Sequence, residues 1–253
     1  MILPPDWQGA LITMRGRIGY AVFFFLAFCG YPHAEMTCVE STQLAHSTVS
    51  ITRYFDDKER TEANVVGIQG TGWFQSPTTI VSVEHVAAAM GLSTTAWKPL
   101  NIQDGANSLF IPVRIQRLAG NRAEKLVVLE LQTAISEARS VTVRTSPLIP
   151  EDRLVAFAYP NRQPRFVGGR FVQYASDGNL AGSALLEIYE GNNRLIIDHG
   201  ASGAPVFDCE GQVAAVIVTV ITQIFRTPFG EQRISTAWGT PNVISVPVQD
   251  LMQ

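Results

Sequence analysis

Short β-type segments, each ended by a turn signal, follow one another along almost all of the chain after residue 60. They are rich in Val, Ile, Phe and Thr and are separated by Gly, Pro, Asn and Asp, a spacing typical of β-barrels and β-sandwiches. Helical turns are expected only at Glu84 to Met90 and from Val248 to Gln253. Strands are predicted near Asn64 to Gln69, Thr78 to Val83, Leu109 to Leu118, Leu126 to Gln132, Leu154 to Ala158, Arg165 to Tyr174, Leu185 to Tyr189, Arg194 to Ile197, Ala204 to Phe207, Val213 to Thr222 and Val243 to Val246.

A less apolar stretch, 133–152, divides these segments into two similar groups. It contains Pro147 and Pro150, as expected of a connector. Two β-barrels of about 100 residues each would account for the length. We place the first barrel at about residues 50–135, the connector at 136–152, and the second barrel with a C-terminal turn at 153–253.

The N-terminal segment has the layout of a secretory signal peptide. Two arginines precede an apolar run at residues 18–30, and Ala34 offers a cleavage site. The run is shorter than the roughly 20 residues that a membrane-spanning helix needs, so we predict cleavage and no stable membrane anchor. Residues 1–34 would be the signal, and residues 35–253 would be exported to a periplasm or out of the cell.

The composition indicates a folded globular protein and argues against nucleic-acid binding. Charged residues make up 16% of the 253 residues, against about 25% in an average protein. The formal net charge is −3 and there is no long basic or acidic run, so no nucleic-acid partner is expected. Cysteines and histidines nowhere show the spacing of metal ligands. We therefore predict neither a metal nor another cofactor.

The predicted exported chain keeps two cysteines, Cys38 and Cys209, because Cys29 lies in the signal. An even number of cysteines in an oxidising compartment favours a disulfide. This bond would tie the N-terminal arm to the second half of the chain.

One polar, glycine-containing turn, 198–206 with the sequence DHGASGAPV, lies between two apolar segments. Such a turn can expose the Ser202 hydroxyl and aim backbone N–H groups at one point, as an acyl oxyanion requires. The serine also needs a base. The histidines of the exported chain are His46, His85 and His199. All three precede the serine, which excludes an α/β-hydrolase and is compatible with the chymotrypsin order of histidine, acid and serine.

Four segments in order resemble trypsin-like serine peptidases of the chymotrypsin fold. The block from Gly70 to Ala87 resembles the family's glycine-rich strand pair and the helical turn bearing its histidine, and Gly200 to Pro205 fits the G-x-S-G-x-P nucleophile segment. Leu154 to Pro160 resembles the first strand after the inter-barrel connector, and Val243 to Pro247 resembles the closing strand. The resemblance covers about residues 64–250 and is closest in style to bacterial HtrA-like or glutamyl-endopeptidase-like members. It implies two six-stranded antiparallel β-barrels with a short C-terminal helix.

The resemblance also implies roles for individual residues. Ser202 would be the nucleophile, His85 the general base, and the backbone N–H groups of Gly200 and Ser202 the oxyanion hole. His199 is so close to the serine in sequence that its side chain is expected to point away, and His46 is expected to be exposed. The protein would be a serine endopeptidase acting on protein or peptide substrates.

The acid of a catalytic triad departs from the family pattern. Members usually carry an aspartate at the head of a strand with the pattern D-x-A-x-L, and the plainest alignment places Lys125 there, with Glu124 one residue earlier. A lysine cannot orient an imidazole or stabilise its cation. Three solutions remain open: Glu124 reaching His85 through a local bulge, Asp104 acting from the preceding loop, or a Ser–His pair without an acid. Glu124 is the preferred candidate.

Specificity and activation follow from the same resemblance. Ala201 stands where digestive members carry an aspartate that pairs with a newly cut N-terminus, so activation of that kind is not expected. The substrate pocket would be lined around Ile196 and Val220, where no carboxylate occurs, so small or apolar side chains are expected rather than Lys or Arg. Few residues follow the closing strand, so no PDZ-type module is expected, and the oligomeric state remains open.

Two other hypotheses predict different geometries. Lys125 at the usual acid position is compatible with a catalytically impaired relative that acts as a binding or regulatory module. A β-rich binding domain without protease ancestry would instead place His85 far from Ser202. An acidic oxygen near the His85 ring nitrogen that faces away from Ser202 would favour the enzyme, whereas Lys125 alone at that nitrogen would contradict it.

Overall fold

The chain folds into two closed antiparallel β-barrels of six strands each, which confirms the predicted all-β class. Apolar residues alternate with small or polar residues along the strands, so that one face of each strand packs inside its barrel. The computed structural model describes residues 38–42, 44, 46–63, 65–105, 107–189, 200–220, 222–227, 230–235 and 241–253. All of these residues belong to one compact unit.

The first barrel has the strand order β1-β2-β3-β6-β5-β4. A short helix, α1, follows its first strand, and a second, α2, follows its third. The elements are β1 (Thr48–Tyr54), α1 (Asp57–Ala63), β2 (Gly67–Ser76), β3 (Thr79–Val83), α2 (Glu84–Ala89), β4 (Lys98–Asp104), β5 (Asn107–Ala119) and β6 (Leu126–Leu131).

The second barrel has the strand order β10-β11-β14-β9-β8-β7, and β12 pairs with β13 in a separate hairpin. Short 3-10 helices lie at Pro160–Arg162 and Gly178–Leu180, and a third, Val248–Met252, is the predicted C-terminal turn. The strands are β7 (Arg153–Ala158), β8 (Arg165–Tyr174), β9 (Ala184–Tyr189), β10 (Pro205–Phe207), β11 (Val213–Val220), β12 (Thr222–Thr227), β13 (Gly230–Ser235) and β14 (Val243–Pro247).

Strand β2 is buried on both of its faces in its central part, from Gly70 to Phe74. Side chains on one face, such as that of Phe74, pack in the first hydrophobic core. The backbone N–H of Thr71 donates to the carbonyl of Ser202, in the second half of the chain. The two barrels therefore meet along β2. A residue of β2 is bonded directly to the turn at residues 200–204, called the serine turn below.

Three elements of the first barrel were not predicted. Strands β1 and β4 carry a regular alternation in which Val49, Ile51, Leu100 and Ile102 point into the core, but the intervening polar residues obscured it. Asp104 consequently ends a strand, whereas a loop position was predicted. The first barrel begins at β1, two residues before its predicted start.

Helix α1 lacks an apolar stripe, which is why periodicity did not predict it. Its start is stabilised by a capping box: the N–H of Glu59 donates to Asp56 Oδ1 at 2.9 Å, and the N–H of Asp56 donates to Glu59 Oε2 at 3.3 Å. The spacing D-x-x-E was therefore the available sequence signal.

Two predicted strands have the wrong bounds. The strand predicted at Asn64 to Gln69 is the beginning of β2, which continues through the glycines to Ser76. The strand predicted at Val213 to Thr222 is divided between β11 and β12. The strand predicted at Arg194 to Ile197 lies outside the described residues.

Cys38 and Cys209 form a disulfide, as predicted, across a sequence separation of 171 residues. Replacing both cysteines in the double variant Cys38→Ser, Cys209→Ser is expected to lower the free energy of unfolding by about 2–5 kcal/mol. The reason is that a disulfide that closes so long a loop strongly restricts the conformations of the unfolded chain. Urea unfolding with and without reductant measures the loss. The double variant should be insensitive to reductant, and an equal effect of reductant on both proteins would contradict the prediction.

None of the helices in the described part of the chain is both long enough and apolar enough to cross a membrane.

Candidate active site

Helix α2 presents His85 toward solvent while burying its neighbours. Val86 and Ala87 pack into the core, and the side chain of His85 is 44% exposed. The first turn is anchored because the N–H of Glu84 donates to the carbonyl of Lys125 at 2.9 Å. The helix that bears the histidine is thus held against the segment that precedes β6.

The carboxylate of Glu124 holds His85 at two points. Glu124 Oε1 accepts the backbone N–H of His85 at 3.0 Å and lies 3.0 Å from the ring Nδ1. A carboxylate acceptor at Nδ1 favours the tautomer with its proton there, which leaves Nε2 as a proton acceptor. A carboxylate oxygen thus lies within hydrogen-bond reach of a His85 ring nitrogen, as expected of the enzyme.

No bulge brings Glu124 to the histidine, which corrects that part of the prediction. The irregular pairing between β5 and β6 falls at Ile115 to Arg117, away from the start of β6. Glu124 instead lies in a bend just before β6. The bend directs the longer glutamate side chain back over the first turn of α2.

Two opposing effects set the pKa of Glu124. Partial burial raises it, but hydrogen bonds from the ring and backbone of His85, the charge of the imidazolium and a hydrogen bond from the N–H of Glu84 lower it, and the net pKa lies below its ordinary value of 4.5. The carboxylate is therefore ionised throughout the neutral range.

Because the pKa of Glu124 is lowered in the folded protein, the free energy of unfolding depends on pH. Because the folded state favours the ionised carboxylate, its stabilising contribution is complete above the pKa of the unfolded chain and is lost as the pH falls through the lower folded value. The difference in unfolding free energy between the wild type and Glu124→Gln should shrink as the pH falls below about 4. Urea unfolding at a series of pH values measures this difference, and a constant difference down to pH 3 would contradict the prediction.

The other candidates for the acid position lie elsewhere. Asp104 is buried and lies 2.5 Å from Nδ1 of His46, so this histidine is paired rather than simply exposed as predicted. The amine of Lys125 lies 3.7 Å from Glu84 Oε2. Among the described residues, Glu124 is the carboxylate that contacts His85.

The serine turn has a backbone that requires glycine on both sides of Ser202. Gly200 and Gly203 have φ values of +96° and +90°, a region that disfavours side chains. A Cβ at Gly203 would also collide with the carbonyl of Thr71 and the hydroxyl of Ser82. The N–H of Gly203 donates to the carbonyl of Ile217 at 2.8 Å, which fixes the turn to β11.

The hydroxyl of Ser202 donates to the carbonyl of Val218 at 2.8 Å. No hydrogen bond joins it to His85 among the residues that the structure describes. In the same part of the chain, neither the N–H of Gly200 nor that of Ser202 has a hydrogen-bond acceptor.

Strand β2 connects the histidine helix to the serine turn. A Cβ at Gly70 would lie 2.5 Å from Val86 Cγ1 and 3.4 Å from the carbonyl oxygen of Ser202, so only glycine allows this approach. The side-chain amide of Gln69 donates to the carbonyl of Tyr159 at 2.8 Å, beside Gly200. The sequence pattern did not indicate a role for Gln69 or Thr71. The available signal was the position of Thr71 as a polar residue between two glycines.

Two residues of the predicted site, Ile196 and Val220, and the neighbouring His199 are not described at the level of their side chains. His199 and Ile196 lie outside the described residues, and only the backbone of Val220 is described, at the end of β11. No group of three or more His, Cys, Asp or Glu side chains in the described ranges is arranged to hold a metal ion.

A β-barrel pair with a histidine–carboxylate contact in one half and a glycine-flanked serine in the other is the architecture of the chymotrypsin-like hydrolases. A family model for the trypsin-like peptidase domain matches residues 70–216. This match covers more than half of the chain, so the chain belongs to the trypsin-like peptidase family, the serine proteases with this fold. A comparison with curated protein sequences finds no significant match.

Several solved structures share the fold. The Rv3671c protease from M. tuberculosis in its active form is 13% identical, with a TM-score of 0.55 over 84% of this chain and 80% of that chain. Its inactive form is 14% identical, with a TM-score of 0.56 over 83% of this chain and 88% of that chain. Deg5 is also 14% identical, with a TM-score of 0.55 over 83% of this chain and 88% of that chain. At these identities the likeness concerns the fold alone.

Proposed function

We propose that this protein is an exported serine endopeptidase that cleaves peptide bonds through an acyl-enzyme. The observation that carries the proposal is the 3.0 Å contact between Glu124 Oε1 and Nδ1 of His85 in a trypsin-like peptidase fold. This contact supports Glu124 as the acid of the site, among the three solutions that the sequence left open. The amine of Lys125 lies near Glu84 rather than at the ring of His85, which supports the enzyme over a catalytically impaired binding module.

The chemistry follows from these positions. Ser202 Oγ forms a bond to the carbonyl carbon of the substrate, its proton moves to Nε2 of His85, and the carbonyl electrons move to the oxygen. The N–H groups of Gly200 and Ser202 stabilise that oxyanion. The carbon–nitrogen bond then breaks as His85 returns the proton to the leaving amine, and water releases the acyl group by the same steps. Glu124 stabilises the imidazolium that forms twice in each cycle.

The serine must change its rotamer before it reacts. Its hydroxyl donates to the carbonyl of Val218, whereas attack requires it to donate to Nε2 of His85. Rotation about the Cα–Cβ bond moves a hydroxyl between staggered positions without moving the backbone. In this proposal, substrate binding beside β11 shifts the hydroxyl toward the histidine.

The proposed substrates are proteins or peptides with a small or apolar side chain at the cleaved bond. Ile196 and Val220 are proposed to line the pocket, where the sequence offers no carboxylate for Lys or Arg. Export is supported by the disulfide, a bond that persists in oxidising compartments, together with the signal-like segment at residues 1–34.

Reaction of the purified protein with a fluorophosphonate tests the proposal. This reagent phosphonylates a serine that a base activates and an oxyanion hole assists. The expected result is one label per chain, located at Ser202 by peptide mass spectrometry. A protein that unfolds cooperatively yet acquires no label would refute the proposed function.

A further inference from the structure

Thr71 of β2 is fully buried and uses all of its polar groups at the border between the barrels. Its N–H donates to the carbonyl of Ser202 at 2.8 Å, and its carbonyl accepts the hydroxyl of Ser82 at 2.8 Å. Its side-chain Oγ1 lies 2.6 Å from the carbonyl oxygen of Gly200 and 3.1 Å from the backbone nitrogen of Tyr159.

The direction of these bonds is determined by the number of protons. A hydroxyl has one proton to donate and can accept others. The N–H of Tyr159 must donate to Oγ1, so the hydroxyl proton of Thr71 goes to the carbonyl of Gly200. Thr71 thus bonds the carbonyls of both Gly200 and Ser202, one with its side chain and one with its backbone.

These two carbonyls belong to peptide groups that precede and follow the nucleophile Ser202 in the chain. Peptide groups are planar, so the bonds from Thr71 hold the Gly200–Ala201 and Ser202–Gly203 peptides. The Ala201–Ser202 peptide between them is held by the N–H of Ala204, which donates to the carbonyl of Ala201 at 3.0 Å. Gly200 has no side chain to resist rotation, and its position is confined by Gln69 Nε2 and the Tyr159 carbonyl, which would lie 2.9 and 3.0 Å from a Cβ. The Thr71 hydroxyl therefore holds the peptide that lies between the two peptide groups carrying the N–H of Gly200 and the N–H of Ser202.

We propose that Thr71 is a positioning residue of the oxyanion hole. A hydroxyl on the first barrel holds the Gly200 carbonyl on the second, and this keeps the N–H groups of Gly200 and Ser202 directed at the oxyanion. The inference rests on the proposed function, since it names a residue that supports the same site. Thr71 acts through Gly200 and does not touch the substrate.

Thr71→Val tests this role because it replaces the hydroxyl by a methyl group of similar size. We expect kcat to fall about 30-fold with KM within about twofold, since oxyanion contacts strengthen only in the transition state. Thr71→Ser keeps the hydroxyl and should restore kcat to within about threefold of the wild type.

A peptide aldehyde gives a second readout. Ser202 Oγ adds to the aldehyde carbon, its proton moves to His85, and the aldehyde oxygen takes the position of the oxyanion. Thr71→Val should weaken aldehyde inhibition by the same factor as it lowers kcat. A variant that raises KM while kcat and aldehyde affinity stay unchanged would overturn the proposal.

Ser47→Ala is the matched control for lost stability. Ser47 is also fully buried and also donates its hydroxyl to a backbone carbonyl, that of Leu44 at 2.6 Å. Among the described residues, neither of the two forms a hydrogen bond with the serine turn. All variants are compared per folded molecule. If Ser47→Ala lowers kcat as much as Thr71→Val does, the effect is structural and the proposal is wrong.

Amide hydrogen exchange separates failure of this proposal from failure of the proposed function. Thr71→Val should accelerate exchange at the N–H groups of Tyr159, Gly203 and Ala204 relative to Thr71→Ser and Ser47→Ala, because these groups are bonded to Thr71 or belong to the turn. Unchanged exchange at all three overturns the proposal whatever the activity. Accelerated exchange in a chain whose wild type never reacts with the fluorophosphonate would refute the proposed function alone.

Discussion

Replacing Ser202 by alanine is expected to lower kcat about a millionfold, since the nucleophile and the base act as one unit and removal of the hydroxyl ends acyl transfer. The fluorophosphonate label should disappear at the same time. The measurements are hydrolysis of a fluorogenic peptide mixture and label stoichiometry on the folded protein. The free energy of unfolding should change little, because the Ser202 hydroxyl makes one bond within the described part of the chain, to the carbonyl of Val218.

Ser176→Ala is the control for this comparison. Ser176 is exposed and its hydroxyl donates to Asp177 Oδ2 at 2.8 Å, so the variant should keep its label and its activity. A label that persists in Ser202→Ala, or that maps to another residue, would contradict the assignment of the nucleophile.

Replacing Glu124 by glutamine is expected to lower kcat by about 10³- to 10⁴-fold, because a neutral amide neither stabilises the imidazolium nor enforces the tautomer with its proton on Nδ1. The change keeps the size of the side chain and the acceptor for the backbone N–H of His85. Steady-state hydrolysis by the wild type and the variant measures the effect, with KM expected to stay within about threefold.

Lys125→Gln separates Glu124 from its neighbour. The amine of Lys125 contacts Glu84, so this variant should keep kcat within about twofold of the wild type. Wild-type activity in Glu124→Gln would favour a Ser–His pair without an acid. Activity that first appears in Lys125→Asp would mean that the acid is missing from the natural chain.

The sequence was sufficient for the class of the fold because its signals are local. Alternating apolar residues, regularly spaced turns and the glycines around Ser202 act over a few residues, and most of the predicted strands lie within a residue or two of their observed bounds. The misses in the first barrel are also local in origin: polar residues obscured β1 and β4, and helix α1 depends on the capping box of Asp56 and Glu59. The hairpin of β12 and β13 was not predicted.

The disulfide was predictable for a different reason. Only two cysteines remain after the predicted signal, so pairing Cys38 with Cys209 required no knowledge of distance. The family resemblance likewise depended on the order of short motifs, and the match over residues 70–216 confirms it.

The neighbours of the site residues, by contrast, were decided by tertiary structure. His85 meets Glu124 across 39 residues, and Thr71 Oγ1 meets Gly200 across 129. The bend before β6 selects Glu124 for this contact, while Asp104 pairs with His46 instead. A sequence determines which residue types are available and in what order, because these are properties of the chain. Which carboxylate faces which ring nitrogen depends on how two closed barrels pack, and bends and strand registers far apart in sequence set that packing together.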